Sequence, residues 1–430
     1  MSSTPDSALS SSDPMSQLSH YDLVVLLLSI SVLLLFSRVL SEFGRKIGLP
    51  VLIGEIIVGI LLGPTLLGRV IPDLSIQLFP QEGPVALALD AIFKLSVVLL
   101  LFVAGMEVQL PVVLRQGRLA TFTSITSMVL PFMLGFWITW HFPALLHWDG
   151  KGSLLIFSLF FGTALSISAL PVIARILMDL GIYRTKIGML IIASAMFNDL
   201  LGWLVFSVVL AMMENRGVGT DIGWTIFYVI GFGLFMLTIG RKVLSQLVPW
   251  MQNKLSWPGG ILSVSLGLCF FCAAFTEAIG IHSILGGFIM GIALGDCVEL
   301  KEKAREIIHQ FITNIFAPLF FVSIGLYINM VDNFNLQLVL IVLLLATFGK
   351  LVGATLGAYM GGLDFRSASV VGFGMNARGA MEIVLSTLAF KAGIIGNQLF
   401  VALIIMALVT SILAGPVMRR LLKMSPTEAL

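Results

Sequence analysis

Charge is what this sequence has least of. Lys, Arg, Asp and Glu make up 11% of its 430 residues, against roughly 25% in soluble domains. Too little charge remains to cover a water-facing globular surface. The net charge is +2 and no run of basic residues occurs, so there is no electrostatic footprint for nucleic acid. Three cysteines cannot build a disulfide framework. Two of them, Cys269 and Cys272, form a CFFC inside an apolar run without neighbouring His or carboxylates. That context suits packed small residues better than a metal site. No phosphate-cradling loop, metal-ligand spacing or nucleophile–base constellation occurs, so the expectation is a protein that is not an enzyme and carries no cofactor. The opening MSSTPDSALSSSDPMSQLSH lacks a basic n-region. Residues 1–20 read as a disordered tail and not as a signal peptide.

What is present is apolar length. Hydrophobic residues reach 58% and the mean hydropathy is +1.04. Apolar runs of ~20 residues recur, each long enough to cross a ~30 Å hydrocarbon layer as a helix. Backbone in lipid must satisfy its own hydrogen bonds, which leaves an all-α polytopic membrane protein. The short alternating segments of a membrane β-barrel are absent. Thirteen spans are expected, at 21–40, 50–68, 86–107, 118–140, 153–177, 186–213, 223–244, 259–277, 281–296, 309–329, 336–360, 367–390 and 397–418. Eighteen of the 25 basic residues fall in one alternating set of connections and four (Arg69, Lys151, Arg216, Lys391) in the other. The positive-inside rule then puts the N-terminus outside and the C-terminus inside.

Three basic residues, Lys94, Lys350 and Arg378, lie within spans. A charge there costs at least ~2.5 kcal/mol, so each needs a partner or a wet cavity. The stretch SAMFNDLLGWLVF puts Asn198 and Asp199 near the middle of the sixth span, and Lys350 is central in the eleventh. In the fifth span, Thr163, Ser166 and Ser168 precede Pro171. Proline removes a backbone donor and frees carbonyls in the turn before it, so this helix is expected to be interrupted. The twelfth span crowds Gly372, Gly374 and Gly379 around Asn376 and Arg378, and a second interruption is expected there. Spans 4–6 and 11–13 are offset by seven, an odd number, so they run in opposite directions. Two interrupted helices in matching places of opposed units are the pattern of an inverted-repeat transporter. Asp199 in a partly dehydrated cavity can hold a proton or a small cation, but not both. Thr163, Ser166 and the freed carbonyls are hard oxygen ligands suited to Na⁺ or K⁺.

The stretches LPVLIGEIIVGILLGPTLLG (49–68), LLFVAGMEVQL (100–110), ALSISALPVIARIL (164–177), FNDLLGW (197–203), HSILGGFIMGIAL (282–294), APLFFVSIGL (317–326) and NARGAMEIVL (376–385) stand in an order and spacing that resemble the monovalent cation:proton antiporters of the Kef/CHX-like branch. The resemblance covers roughly residues 20–420. It implies an NhaA-type fold working as a homodimer, with a core that moves like an elevator. The implied division is residues 21–111 and 257–331 for dimerisation, 112–214 and 332–422 for the core, 215–256 as a linker, and 423–430 as a tail. It further implies that Asp199 is the ion- and proton-binding carboxylate, with Asn198 before it, and that Lys350 is the basic partner in the core. Family members with an Asn-Asp pair often carry Arg opposite the site and a Glu shortly before it. Here the residues are Lys350 and the Glu-free IIASAMF. With one titrating carboxylate, electroneutral 1:1 exchange is expected, provided Lys350 stays charged.

Other polar residues have plainer readings. Arg378 and Glu382 are four apart and suit a local ion pair, as a brace for the crossover or as a gate or relay. Glu55 suits packing or dimer geometry, and His282 an interfacial position. Lys94 either snorkels outward or faces a cavity. Asp296, Glu299, Lys301, Lys303 and Arg305 suit a solvated cytoplasmic connection. A bacterial inner-membrane antiporter of Na⁺ or K⁺ against H⁺ is the leading expectation, with a cation channel or a non-transporting sensor on the same fold as alternatives. No nucleotide-binding domain such as many Kef-type relatives carry is expected in the dozen residues after the last span.

Overall fold

The computed structural model describes residues 18–46, 51–108, 117–150, 152–183, 185–214 and 222–423. Most of the expected tails, together with Arg115, Lys151, Arg184 and Arg216, lie outside the described residues. Helices make up the regular structure of what is described, and no strand occurs there. Among the described residues, eleven helices, taken through short interruptions, are long and apolar enough to cross a membrane. The chain is an integral membrane protein.

Along the chain run α1 (His20–Lys46), α2 (Val51–Leu62), the short α3 (Leu67–Val70) and α4 (Pro72–Leu78), α5 (Pro84–Glu107) and α6 (Arg118–His141). Next come α7 (Leu154–Ser166), α8 (Leu170–Asp179), α9 (Lys186–Glu214) and α10 (Ile222–Phe235). A π-helical turn, Met236–Gly240, joins α10 to α11 (Arg241–Lys254). The remainder is α12 (Gly259–Ala278), α13 (Ser283–Gly295), α14 (Glu302–Tyr327), α15 (Leu336–Met360), α16 (Phe365–Met375), α17 (Ala380–Lys391) and α18 (Asn397–Lys423).

Three expected spans are not single long helices: the one at 153–177 is the pair α7 and α8, interrupted before Pro171 as expected. The one at 281–296 is α13, 13 residues long, shorter than a bilayer crossing. The one at 367–390 is not a single helix but the pair α16 and α17. The seventh span, expected to stop at 244, continues to Lys254 because the π turn absorbs Gly240 without ending the rod.

The helices pack as two sets. α6–α9 and α15–α18 pack on one another, with α15 along α6. α1, α2, α5 and α12–α14 form the other set, and α10–α11 runs between them. The second set is held by backbone approach: a Cβ on Gly105 would fall 2.1 Å from Phe288 O, and one on Gly291 2.1 Å from Phe102 O. Small residues here let α5 and α13 come into van der Waals contact along their length. In lipid, where apolar burial drives little association, such contact holds helices together.

Candidate functional site

Two interrupted helices cross in the first set. α7 ends at Ser166 and α8 begins at Leu170, with extended backbone at Ile167 and Ala169 and Pro171 in the first turn of α8. α16 ends at Met375 and α17 begins at Ala380. The breaks pair with each other: Ala169 N donates to Ala377 O (3.0 Å) and Ser168 Oγ to Met375 O (2.9 Å). Pro171 explains the first break. The second is less simply related to its glycines. Gly372 and Gly374 lie inside α16, where a Cβ on Gly372 would sit 2.2 Å from Thr355 Oγ1, so they serve packing. Only Gly379 lies in the break itself.

A helix C-terminus leaves four carbonyls without intrahelical donors and a partial negative charge. At α7 all four are occupied. Thr163 O accepts from Ile167 N (3.3 Å) and Ser166 Oγ (2.8 Å). Arg378 reaches Ala164 O through Nη1 (2.7 Å) and Leu165 O through Nη2 (2.6 Å). Lys350 Nζ donates to Ser166 O. Three of the carbonyls expected to be free for a cation are therefore held by two buried basic side chains, and the fourth by Ile167 N and Ser166 Oγ. The same Arg378 pairs with Glu382 Oε2 (3.0 Å) in the first turn of α17 and reaches Ala346 O (3.3 Å) on α15. Arg378 itself lies in the break, one residue before Gly379, and not within a continuous helix. Only the planar five-donor guanidinium supplies this fan of bonds from one residue.

Asn198 and Asp199 lie midway along α9, both fully buried. With its amide oriented to satisfy its neighbours, Asn198 Oδ1 accepts from Lys350 Nζ (3.0 Å) and Ser127 Oγ (3.0 Å), and its Nδ2 donates to Ser124 O (3.1 Å). Lys350 is thus committed to α7 and to Asn198. No ion pair within 4.0 Å joins it to Asp199, although the two interact through space. Asp199 stands beside the backbone N–H of Leu170 at the start of α8, where the half-helix dipole favours an anion. Its Oδ1 has no hydrogen-bond partner in the protein. A buried carboxylate oxygen left open in this way is uncommon and marks a place for an ion, a proton or water.

Thr163 and Ser166 turn their hydroxyl protons back to their own helix, to Leu159 O (2.7 Å) and Thr163 O (2.8 Å). Each oxygen keeps lone-pair capacity for a cation. Ser168 was among the polar residues of the fifth span, whereas Ser124, Ser127 and Ser411 on α18, whose hydroxyl donates to Arg378 O, were not anticipated. The one signal was the hydroxyl stripe TFTSITS at 121–127, which resembles ordinary helix packing.

A cavity of about 900 Å³ lies between α5 and α14 on one side and α8 and α9 on the other. Leu170 and Pro171, at the start of α8, and Met196 line it, as do Glu107, Arg175, Arg305 and His309 and the exposed Glu302 and Val298. His309 Nε2 stands 3.4 Å from Glu107 Oε1 across the wall. Asp296 corrects an expectation: it is not a solvated loop residue but is buried and paired with Arg241 (2.8 Å). Burial pushes its carboxyl above the usual carboxylate range, opposed by Arg241 and Arg305. His282 Nδ1 caps α13 by accepting from Ile284 N (3.3 Å). Among the described residues, no cluster of three His, Cys, Asp or Glu has metal-binding geometry.

A family model described as "Sodium/hydrogen exchanger, transmembrane" matches residues 30–424. Among curated relatives, the Na⁺/H⁺ antiporter NhaS4 of Synechocystis sp. is 30% identical over 92% of this chain and 96% of its own. The Na⁺/H⁺-K⁺ antiporter GerN of Bacillus cereus is 26% identical over 91% and 94%. The K⁺/H⁺ antiporter 1 of Saccharomyces cerevisiae is 27% identical over 97% of this chain, which spans only 48% of that longer protein. The sodium proton antiporter MjNhaP1 of Methanocaldococcus jannaschii superposes with a TM-score of 0.66 over 95% of this chain and 99% of that one, at 16% identity.

Proposed function

The chain belongs to the sodium/hydrogen exchanger family, and on that premise we propose that it exchanges a monovalent cation, Na⁺ or K⁺, for protons through a single shared carboxylate, Asp199. The observation that carries this reading is the open Oδ1 of Asp199, buried beside the start of a half-helix whose first residues, Leu170 and Pro171, line the cavity. A proton and a cation compete for those oxygens, and only one leaves with each crossing. Thr163 and Ser166 are the hydroxyl-bearing candidates to complete a cation's shell, and Asn198 holds Lys350 in place.

The face bearing Arg175, Arg241 and Arg305 is taken as cytoplasmic from the distribution of basic residues, so the cavity faces inward. The set α6–α9 with α15–α18 is the mobile core. The set α1, α2, α5 and α12–α14 is the scaffold and the surface for a homodimer. α13 and the α16–α17 pair complete the spans as segments that gain depth from their neighbours.

Exchange is electroneutral, one cation for one proton. Lys350 is consistent with this: its amine sits at the negative end of α7 and against Asn198 Oδ1, a position where the helix dipole favours the charged form. Reconstitution into liposomes with an internal pH dye tests both points. Adding Na⁺, K⁺ or Li⁺ should release protons in the wild type and not in Asp199→Asn. Imposing a membrane voltage should leave the rate unchanged. Exchange at the normal rate by Asp199→Asn overturns the site, and a steep voltage dependence overturns the stoichiometry.

A further inference from the structure

At the end of the molecule opposite the cavity, one carboxylate holds two lysines. Asp90, early in α5, accepts from Lys391 at the last position of α17 (Oδ1, 2.9 Å) and from Lys94 one turn along α5 (Oδ2, 2.8 Å). Tyr327, the last residue of α14, donates its hydroxyl to Asp90 Oδ1 (3.4 Å), and Lys391 Nζ lies 4.7 Å from the centre of its ring. Phe93 meets the same ring edge-on at 6.3 Å. Asp90, Lys94, Phe93 and Tyr327 all belong to the scaffold set, whereas Lys391 belongs to the core set. The span-internal Lys94, unexplained by sequence, has its partner here.

We propose that Asp90, Tyr327 and Lys391 form a latch across the outer ends of the two helix sets, and act as positioning residues that hold the ion site facing the cytoplasm. This rests on the exchange reading above and adds what biases its conformational equilibrium. Three features support it. α17 carries Glu382 in its first turn and Lys391 at its last, so the latch lysine travels with the charged centre of the core. Asp90 and Lys391 are each about one-third exposed, so water solvates both as they part. When Lys391 leaves, Lys94 still neutralises Asp90, so the separated state strands no buried charge. A brace meant never to open has no use for a second lysine on the same carboxylate. A contact that breaks every cycle does, because a ligand or mutation can bias a two-state equilibrium only by a difference between the states.

The test uses the full chain in liposomes of known sidedness, with the apparent KM for the cation measured from each side. Lys391→Ala removes a contact present only in the inward-facing state. It should lower the external KM and raise the cytoplasmic KM, changing their ratio by about three- to tenfold, the size expected of a partly exposed ion pair with a cation–π contact. Lys391→Arg should keep the wild-type ratio. Lys94→Ala should move the ratio the other way, because Asp90 then depends on Lys391 alone. A stabilising role without directional bias would give the two alanine variants the same sign or no change in ratio, and either result overturns the latch. A second readout is independent of exchange. The native cysteines are buried, so nitroxides can be placed on cysteines introduced at the exposed positions Glu82 and Asn397. Lys391→Glu, which sets two carboxylates together, should shift that distance distribution to longer values. An unchanged distribution overturns the latch even in a protein that exchanges nothing. Wild-type protein that exchanges nothing while Lys391→Glu lengthens the distance counts against the exchange reading alone.

Discussion

Lys350 illustrates what one buried residue is bound to by its hydrogen bonds. Its ammonium donates to Ser166 O and to Asn198 Oδ1, so replacing it leaves a helix-terminal carbonyl and an amide oxygen without a donor. Hydrogen bonds to a charged group contribute about 1.5–3 kcal/mol. Lys350→Met should therefore slow exchange by roughly 10- to 100-fold, measured by dye-reported proton efflux. A rate close to wild type would mean that Lys350 only fills space. Asp199, Lys350 and Arg378 stood out in the sequence because a charge inside an apolar run needs a partner or a wet cavity. Ser124, Ser127 and Ser411 were not, because a membrane hydroxyl usually bonds back to its own helix, as those of Ser124 and Ser411 also do. Which serines do otherwise is decided by the neighbouring helix.

At the scale of the elements, the half-helix α7 depends on side chains from elsewhere in the chain to end where it does. Arg378 satisfies Ala164 O and Leu165 O and pairs with Glu382 inside the protein. Arg378→Ala strands two carbonyls and a buried carboxylate, which costs about 3–5 kcal/mol and should lower the unfolding temperature in detergent markedly. Arg378→Ala with Glu382→Gln together should recover part of that loss, since no charge is then left alone. If the double variant is no more stable than the single one, the ion pair is not what holds the crossing. Pro171 made the first break legible, because proline acts locally on the turn before it. The position of the second break was only roughly legible. Gly372 and Gly374 are small for the sake of Thr355 and other neighbours, and sequence does not separate a packing glycine from a breaking one. Many helix ends were legible within a few residues, but α1 runs on to Lys46, α14 starts at Glu302, α18 runs on to Lys423, and the π turn carries α10 into α11.

For the whole molecule, apolar runs and opposed polar interruptions made the class and the repeat legible, since lipid leaves the backbone few options. The cavity and the sorting of helices into two sets were not, because they follow from close approaches such as Gly105 against Phe288 and Gly291 against Phe102. What the molecule does rests on whether proton and cation use the same oxygens of Asp199. That is tested most directly by the apparent cation KM at the cytoplasmic side as a function of pH, in liposomes with the opposite side held constant. Competition at one carboxylate makes KM rise about tenfold for each unit that pH falls below the carboxylate's pKa, with the maximal rate unchanged. A KM that stays level while the maximal rate falls would put the proton and the cation on different groups.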